Sequence, residues 1–165
     1  MVPIETTFER PVIADVPREF VSKLRDSGVL KGIRPGMSIA VGAGSRGITN
    51  LPLVTRLLID ELKRAGAKPF IVPGMGSRGG GTPEGRIAVR KRMGISEEEM
   101  GATIRATMDV VQVGTTAGGL PAYLDAIAAA ADGIVVVNRI KPHTSFRGSI
   151  ESGLTKMIVI GAGKQ

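Results

Sequence analysis

One four-residue phrase occurs twice in this chain, as Gly44-Ser45-Arg46-Gly47 and again as Gly76-Ser77-Arg78-Gly79, 32 positions later. Each copy follows a short apolar run, Ser38 to Val41 or Lys68 to Val72, and precedes a stretch with helical spacing, Leu51 to Ala65 or Pro83 to Met93. That order at that period is one β-α-β unit, in which a crossover helix joins two parallel strands. Local signals agree. Pro52 falls where a first helical turn accepts proline, Gly66 where a helix stops, and Thr82 where a side-chain cap belongs.

The rest of the chain reads in the same terms. Val16 to Leu30 predicts a first helix, ended by Gly32 and the Arg34-Pro35-Gly36 turn, and Ser96-Glu97-Glu98-Glu99 is a capping-box pattern opening a short helix. Val110 to Val113 predicts a third strand, Gly114 to Gly119 a third small-residue loop, and Ala122 to Ala131 a third, alanine-rich helix. Gly133 to Val137 predicts a fourth strand and Ile150 to about Ile160 a fourth helix. Apolar strands alternating with helices imply an α/β domain over residues 1–165. It should be an open, mainly parallel sheet with helices on both faces, a Rossmann-like three-layer arrangement. Such sheets bind ligands outside the carboxyl ends of their strands, so all three glycine-rich loops and the segment around His143 are expected at one edge.

Composition removes several kinds of chemistry. The chain has no cysteine and one histidine, which excludes disulfides, zinc ribbons, iron–sulfur clusters, thiol nucleophiles and a self-contained multi-histidine metal site. No metal ligands are therefore assigned within it. No apolar stretch approaches the roughly 20 residues that span a bilayer, and the first residues lack a basic region followed by an apolar core, so a cytoplasmic protein without a membrane partner is expected. The net charge of +7 suits an anionic partner, but the basic residues are scattered through predicted helices. One tyrosine, four phenylalanines and no tryptophan leave almost nothing for bases to stack on, so no nucleic-acid partner is expected.

Glycine-rich loops entering helices can offer backbone N–H groups to an anion. Residues 42–47 have the G-x-G-x-x-G spacing, a weak signal alone and not a well-placed dinucleotide fingerprint, and neither loop is a P-loop. An arginine in each loop favours a carboxylate or phosphate, which guanidinium grips with two parallel hydrogen bonds. His143 lies beyond the fourth strand, in ligand-binding territory, and reads as a base or ligand in preference to a buried structural histidine. Lys156 lies in an otherwise apolar helical stretch, Leu154 to Ile160; it either snorkels to the surface or is held in a cleft as nucleophile or anchor. Glu151, Arg147 and Lys141 set the local field.

The succession Val-Gly-Ala-Gly-Ser-Arg-Gly, Val-Pro-Gly-Met-Gly-Ser-Arg-Gly-Gly, Val-Gly-Thr-Thr with Gly119-Leu120-Pro121, and Lys-Pro-His followed by Glu-Ser-Gly-Leu-Thr-Lys-Met resembles the N-terminal domain of the lactate racemase family, the nickel-pincer nucleotide enzymes. The similarity covers about residues 35 to 165, and the final motif is the specific one. The resemblance implies that Lys156 carries the covalently attached nickel-pincer nucleotide, that His143 is the catalytic acid/base and that Arg46 contacts substrate or cofactor. It further implies Gly44, Ser45, Ser77, Arg78 and Thr115 as cofactor-binding positions. The implied reaction is an isomerisation: racemisation or epimerisation of a 2-hydroxy acid by removal and return of its α-hydride. Family members commonly carry a second catalytic histidine in the second loop, where this chain offers Arg78. They also continue into a C-terminal domain with a nickel-binding histidine, so an excised domain, inactive alone and open to self-association, is expected. The alternative reading is a non-catalytic α/β module that binds a nucleotide or acidic metabolite through its glycine-rich loops.

Overall fold

A computed structural model describes residues 11–44, 48–75, 78–140, 145, 147–148, 151 and 153–163. Three strands, β1 (Ser38–Ala43), β2 (Lys68–Val72) and β5 (Gly133–Val137), form a parallel sheet in the order β2-β1-β5. The registers Ala40↔Phe70 and Ala40↔Ile134 run through β1 as the central strand. Because side chains alternate across a strand, Ile39, Val41 and Ala43 point to one face and Ala40 and Gly42 to the other. The first face is covered by α1 (Val16–Asp26), α2 (Leu51–Arg64) and α4 (Glu97–Met100), through Phe20, Leu24, Leu58, Ile59, Leu62 and Met100. The opposite face, with Ala40, Phe70 and Val72, is covered by α5 (Ala126–Ala129), through Ala128 and Ile127. The domain is thus an open α/β sheet with helices on both faces. Each large apolar side chain sealed between these layers contributes roughly 1.5–3 kcal/mol relative to exposure.

Local sequence signals set the element ends. Asp15 caps α1 by accepting from Arg18 N, Thr82 caps α3 (Pro83–Arg92) by accepting from Gly85 N, and Ser96 caps α4 by accepting from Glu99 N. The first helix stops at Asp26 rather than Leu30, because Gly28 turns left-handed (φ 72°) and the chain continues as a short 3-10 turn over Val29–Gly32. α1 is tied to α2 by Arg25, whose Nε donates to Glu61 Oε2 at 2.8 Å and whose Nη2 donates to Oε1 at 3.1 Å. Glu61 is buried and is paired from the other side by Arg64.

The third β-α unit differs from its sequence reading. β3 (Val110–Thr115) does not join the parallel sheet; it pairs antiparallel with β4 (Pro121–Asp125) in a separate hairpin. The turn closes through Thr116 N donating to Leu120 O and Gly119 N donating to Thr116 O, with Gly119 at φ 80°. Residues 121–125, expected to begin a helix, are therefore extended. Asp125 then caps a single-turn α5 by accepting from Ile127 N and Ala128 N. The alanine-rich part of the expected helix is the part that is helical, Ala126–Ala129; the residues before it include Tyr123 and Leu124, side chains that suit a pleated, half-buried strand, and they pair with β3. The last helix begins at Leu154 as α6 (Leu154–Lys156) and continues as a wider π-type turn through Ala162. No described helix is long and apolar enough to cross a membrane.

At the amino end of the sheet, Asp132 accepts from Ser38 N (2.8 Å) and Ser38 Oγ (2.7 Å), and these bonds hold its carboxyl below the ordinary value of 3.8. A depressed folded value means that the stability contributed is complete above 3.8 and lost as pH falls through the lower folded value. Urea unfolding of Asp132→Asn should therefore show a deficit at pH 7 that shrinks as pH falls below 3.8. A deficit independent of pH would mean that the charge is not what Ser38 recognises.

Candidate functional site

The carboxyl ends of β1, β2 and β5 share one edge, which leads into Gly44, into Pro73-Gly74-Met75 and into Asn138-Arg139. β2 lies on one side of β1 and β5 on the other, so the chain changes direction between β1 and β5 and opens a crevice there.

Gly44 stands at that crevice. Its N–H donates to Val137 O at 2.7 Å, which locks β1 to β5, and its carbonyl accepts from Arg90 Nη1 at 2.5 Å. With both backbone groups engaged, what Gly44 contributes is its missing side chain: a Cβ would lie 2.6 Å from Asn138 Oδ1 and 2.6 Å from Ile48 Cδ1. Asn138, the first residue after β5, donates from Nδ2 to Gly153 O at 2.8 Å and accepts from Arg139 N at 2.9 Å. Asn138 and Gly153, 15 positions apart, are therefore held together just beyond the end of β5. α6 starts from that point, Gly153 having the positive φ (83°) that its entry requires.

α6 lies over the glycines of the edge. Met157 packs its Cε against Gly74 and within 3.6 Å of where a Gly42 Cβ would be, and a Cβ at Gly161 would meet Gly74 O at 3.0 Å. Lys156, one residue before the buried Met157, is exposed at the end of the first turn. Glu151 accepts from Gly148 N at 3.0 Å and lies 3.7 Å from Arg147 Nη1.

Of the sequence candidates, His143, Arg46, Ser45 and Ser77 lie outside the described residues, as does Lys141. For Arg78 the backbone alone is described; it opens a tight turn over Arg78–Gly81 with Gly79, Gly80 and Gly81 at positive φ. Thr115 is placed, and its surroundings correct the expectation behind it: it ends β3 in the hairpin, exposed, with its Oγ1 accepting from Gln112 Nε2 at 3.4 Å. The third small-residue loop is thus a hairpin turn and not a loop at the carboxyl end of a sheet strand.

Sequence reasoning missed two arginines of α3. Arg86 and Arg90, one helical turn apart, read as a basic surface, yet both are almost fully buried. Arg90 donates to the carbonyls of Gly44 and Ala43, and burial holds its guanidinium down to about 10. Burial also lowers Arg86, against the attraction of Asp125. Asn138 was legible only as a polar residue at a strand end.

No family model matches the chain, and no curated protein does. The site therefore has to be judged by its chemistry. Among the described residues no three His, Asp or Glu side chains converge to hold a metal. A groove of about 630 Å³ runs between the hairpin, β5 and the end of α6, lined by Val113, Tyr123, Leu124, Ile134, Ile158 and Val159. Its lining carries no charge that would recognise an acid. The carboxyl edge does carry such features: the second glycine turn, the start of α2, the buried Arg90 and the exposed amine of Lys156.

Proposed function

We propose that this chain is the cofactor-anchoring domain of an isomerase of the lactate racemase type, acting on a 2-hydroxy acid through a nickel-pincer nucleotide attached at Lys156. The observation that carries the reading is the Asn138–Gly153 closure. Lys141-Pro142-His143 falls in sequence between Asn138, which follows β5, and Gly153, from which the helix carrying Lys156 starts, and Asn138 and Gly153 are bonded to each other. Lys156 is an exposed residue on a helix anchored over Gly74 by Met157. These features fit an attachment point.

When bound, the nucleotide supplies the acceptor and donor for the α-hydride. The chain's own residues have three tasks. Arg46 pairs with the substrate carboxylate through a planar guanidinium. His143 takes the hydroxyl proton as the α-carbon loses hydride and gives it back on return. α6 fixes the position of Lys156. Arg78, in place of a second histidine, cannot serve as an ordinary base, because guanidinium holds its proton above about pH 12. The two enantiomers are then served unequally, and epimerisation of a substrate with a second stereocentre fits as well as racemisation.

Intact mass spectrometry of the protein, co-produced with enzymes that make the cofactor, tests the attachment. A covalent adduct that maps to Lys156 and disappears in Lys156→Arg is expected. Unmodified wild-type protein under those conditions would instead favour a module that holds an acidic metabolite without chemistry.

A further inference from the structure

We propose that Arg90 is a positioning residue for the carboxyl-edge site: it fixes the end of β1 from beneath and supplies a buried positive charge that an anionic ligand at that edge completes. Its role rests on the acid-binding reading of this edge.

Arg90 is fully buried on α3. Its Nη1 reaches Gly44 O at 2.5 Å and its Nη2 reaches Ala43 O, while its Nε has no partner. None of the ion pairs among the described residues includes it. Its counterpart Arg86, also buried, at least feels the attraction of Asp125. Sealing a cation away from water without a counter-ion is costly, and burial holds the Arg90 guanidinium down to about 10. A neutral donor could clamp two carbonyls without that cost. The charge itself therefore needs a use.

A second feature at the same edge points the same way. α2 follows β1, and its N-terminus has no side-chain cap: Asn50 is left-handed (φ 60°), makes no capping bond, and no acidic residue occupies the first turn. The helices α1, α3, α4 and α5 are capped by Asp15, Thr82, Ser96 and Asp125, and only the single-turn α6 shares the lack. Among the described residues no side chain caps the positive end of the α2 dipole, which closes the connection whose first residue, Gly44, Arg90 holds. Both are relieved by one negative group outside the end of β1. The chemistry required is a carboxylate or a phosphate, from the substrate acid or from a nucleotide.

The test is a nitrogen-15 NMR titration of the wild-type chain, with sodium lactate in one arm and inorganic phosphate in the other. It follows the Arg90 Nε–H and the amides of Leu51 and Leu53. Expected are saturable shifts of the Nε–H together with the α2 amides; the arm with the tighter binding identifies the source. A unit charge about 10 Å away at an effective dielectric of about 20 changes affinity by roughly tenfold. Arg90→Met should therefore weaken binding about tenfold, and Arg90→Lys less. If the α2 amides shift while the Nε–H stays still and Arg90→Met binds as wild type, Arg90 has no such role and the acid-binding reading survives. No saturable shift with either anion overturns both. If Arg90→Met does not fold, the Nε–H response in the wild-type titration decides alone.

Discussion

Gly85→Ala should lower stability by about 3 kcal/mol or more, although alanine in an exposed helix is normally better than glycine by about 1 kcal/mol. Gly85 lies in the first turn of α3, and a Cβ there would run into the carbonyl of Gly79 and approach Thr82 Oγ1 to 2.9 Å. None of these neighbours is the loose end of a side chain. Gly79 is itself left-handed (φ 72°), and its carbonyl accepts from Thr82 Oγ1 at 3.3 Å; Thr82 Oγ1 in turn accepts from Gly85 N at 3.1 Å. Relief would break the helix cap or move the glycine turn that ends the second loop. Gly74→Ala makes the useful comparison, since its new Cβ meets the Cε of Met157, a flexible chain end that can swing aside. Chemical denaturation of both variants checks the contrast. A Gly85→Ala protein as stable as wild type would mean that the turn and α3 do not touch as described.

The two β-α-β signals were legible because each is local. A strand, a glycine turn, a capping Thr82 or a Pro52 at a first turn is decided by residues within one turn of one another, and β2 and α2 fall where their spacing places them. The hairpin was not legible for the opposite reason. Whether Val110 to Thr115 adds to the parallel sheet or pairs with Pro121–Asp125 depends on partners, and the alanines from Ala126 on, which do form a short helix, extend a helical reading back over residues that are strand. The register even shifts between Gln112 and Gly114, so no simple alternation advertises the second strand. Arg86 and Arg90 were misleading because arginine almost never lies fully buried, so a basic helix face reads as solvent-facing. At the site, the second glycine turn and the end of β5 could be placed from sequence, whereas the last helix, expected from Ile150, starts at Leu154. The bonds that unite them, from Asn138 to Gly153 and from Arg90 to the end of β1, could not, because each joins residues 15 or more positions apart.

On the proposed reaction, His143→Gln in the cofactor-loaded protein should lower turnover by a factor of about 10² to 10⁴, the range by which a positioned acid/base accelerates proton transfer. Glutamine keeps a polar side chain of similar reach but cannot accept and return a proton, so substrate affinity should change far less than kcat. The pH profile supplies the sign. A base works deprotonated, so wild-type kcat/KM should rise with pH through the range where imidazole loses its proton, and that ascending limb should vanish from the residual activity of the variant. Intact mass separates this outcome from loss of the cofactor. His143 falls in sequence between Asn138 and Gly153, which are bonded to each other, while Lys156 lies on α6 beyond them. The adduct on Lys156 should therefore persist in His143→Gln. An adduct retained with turnover and pH profile unchanged would remove the histidine from the chemistry and leave the proton to another group.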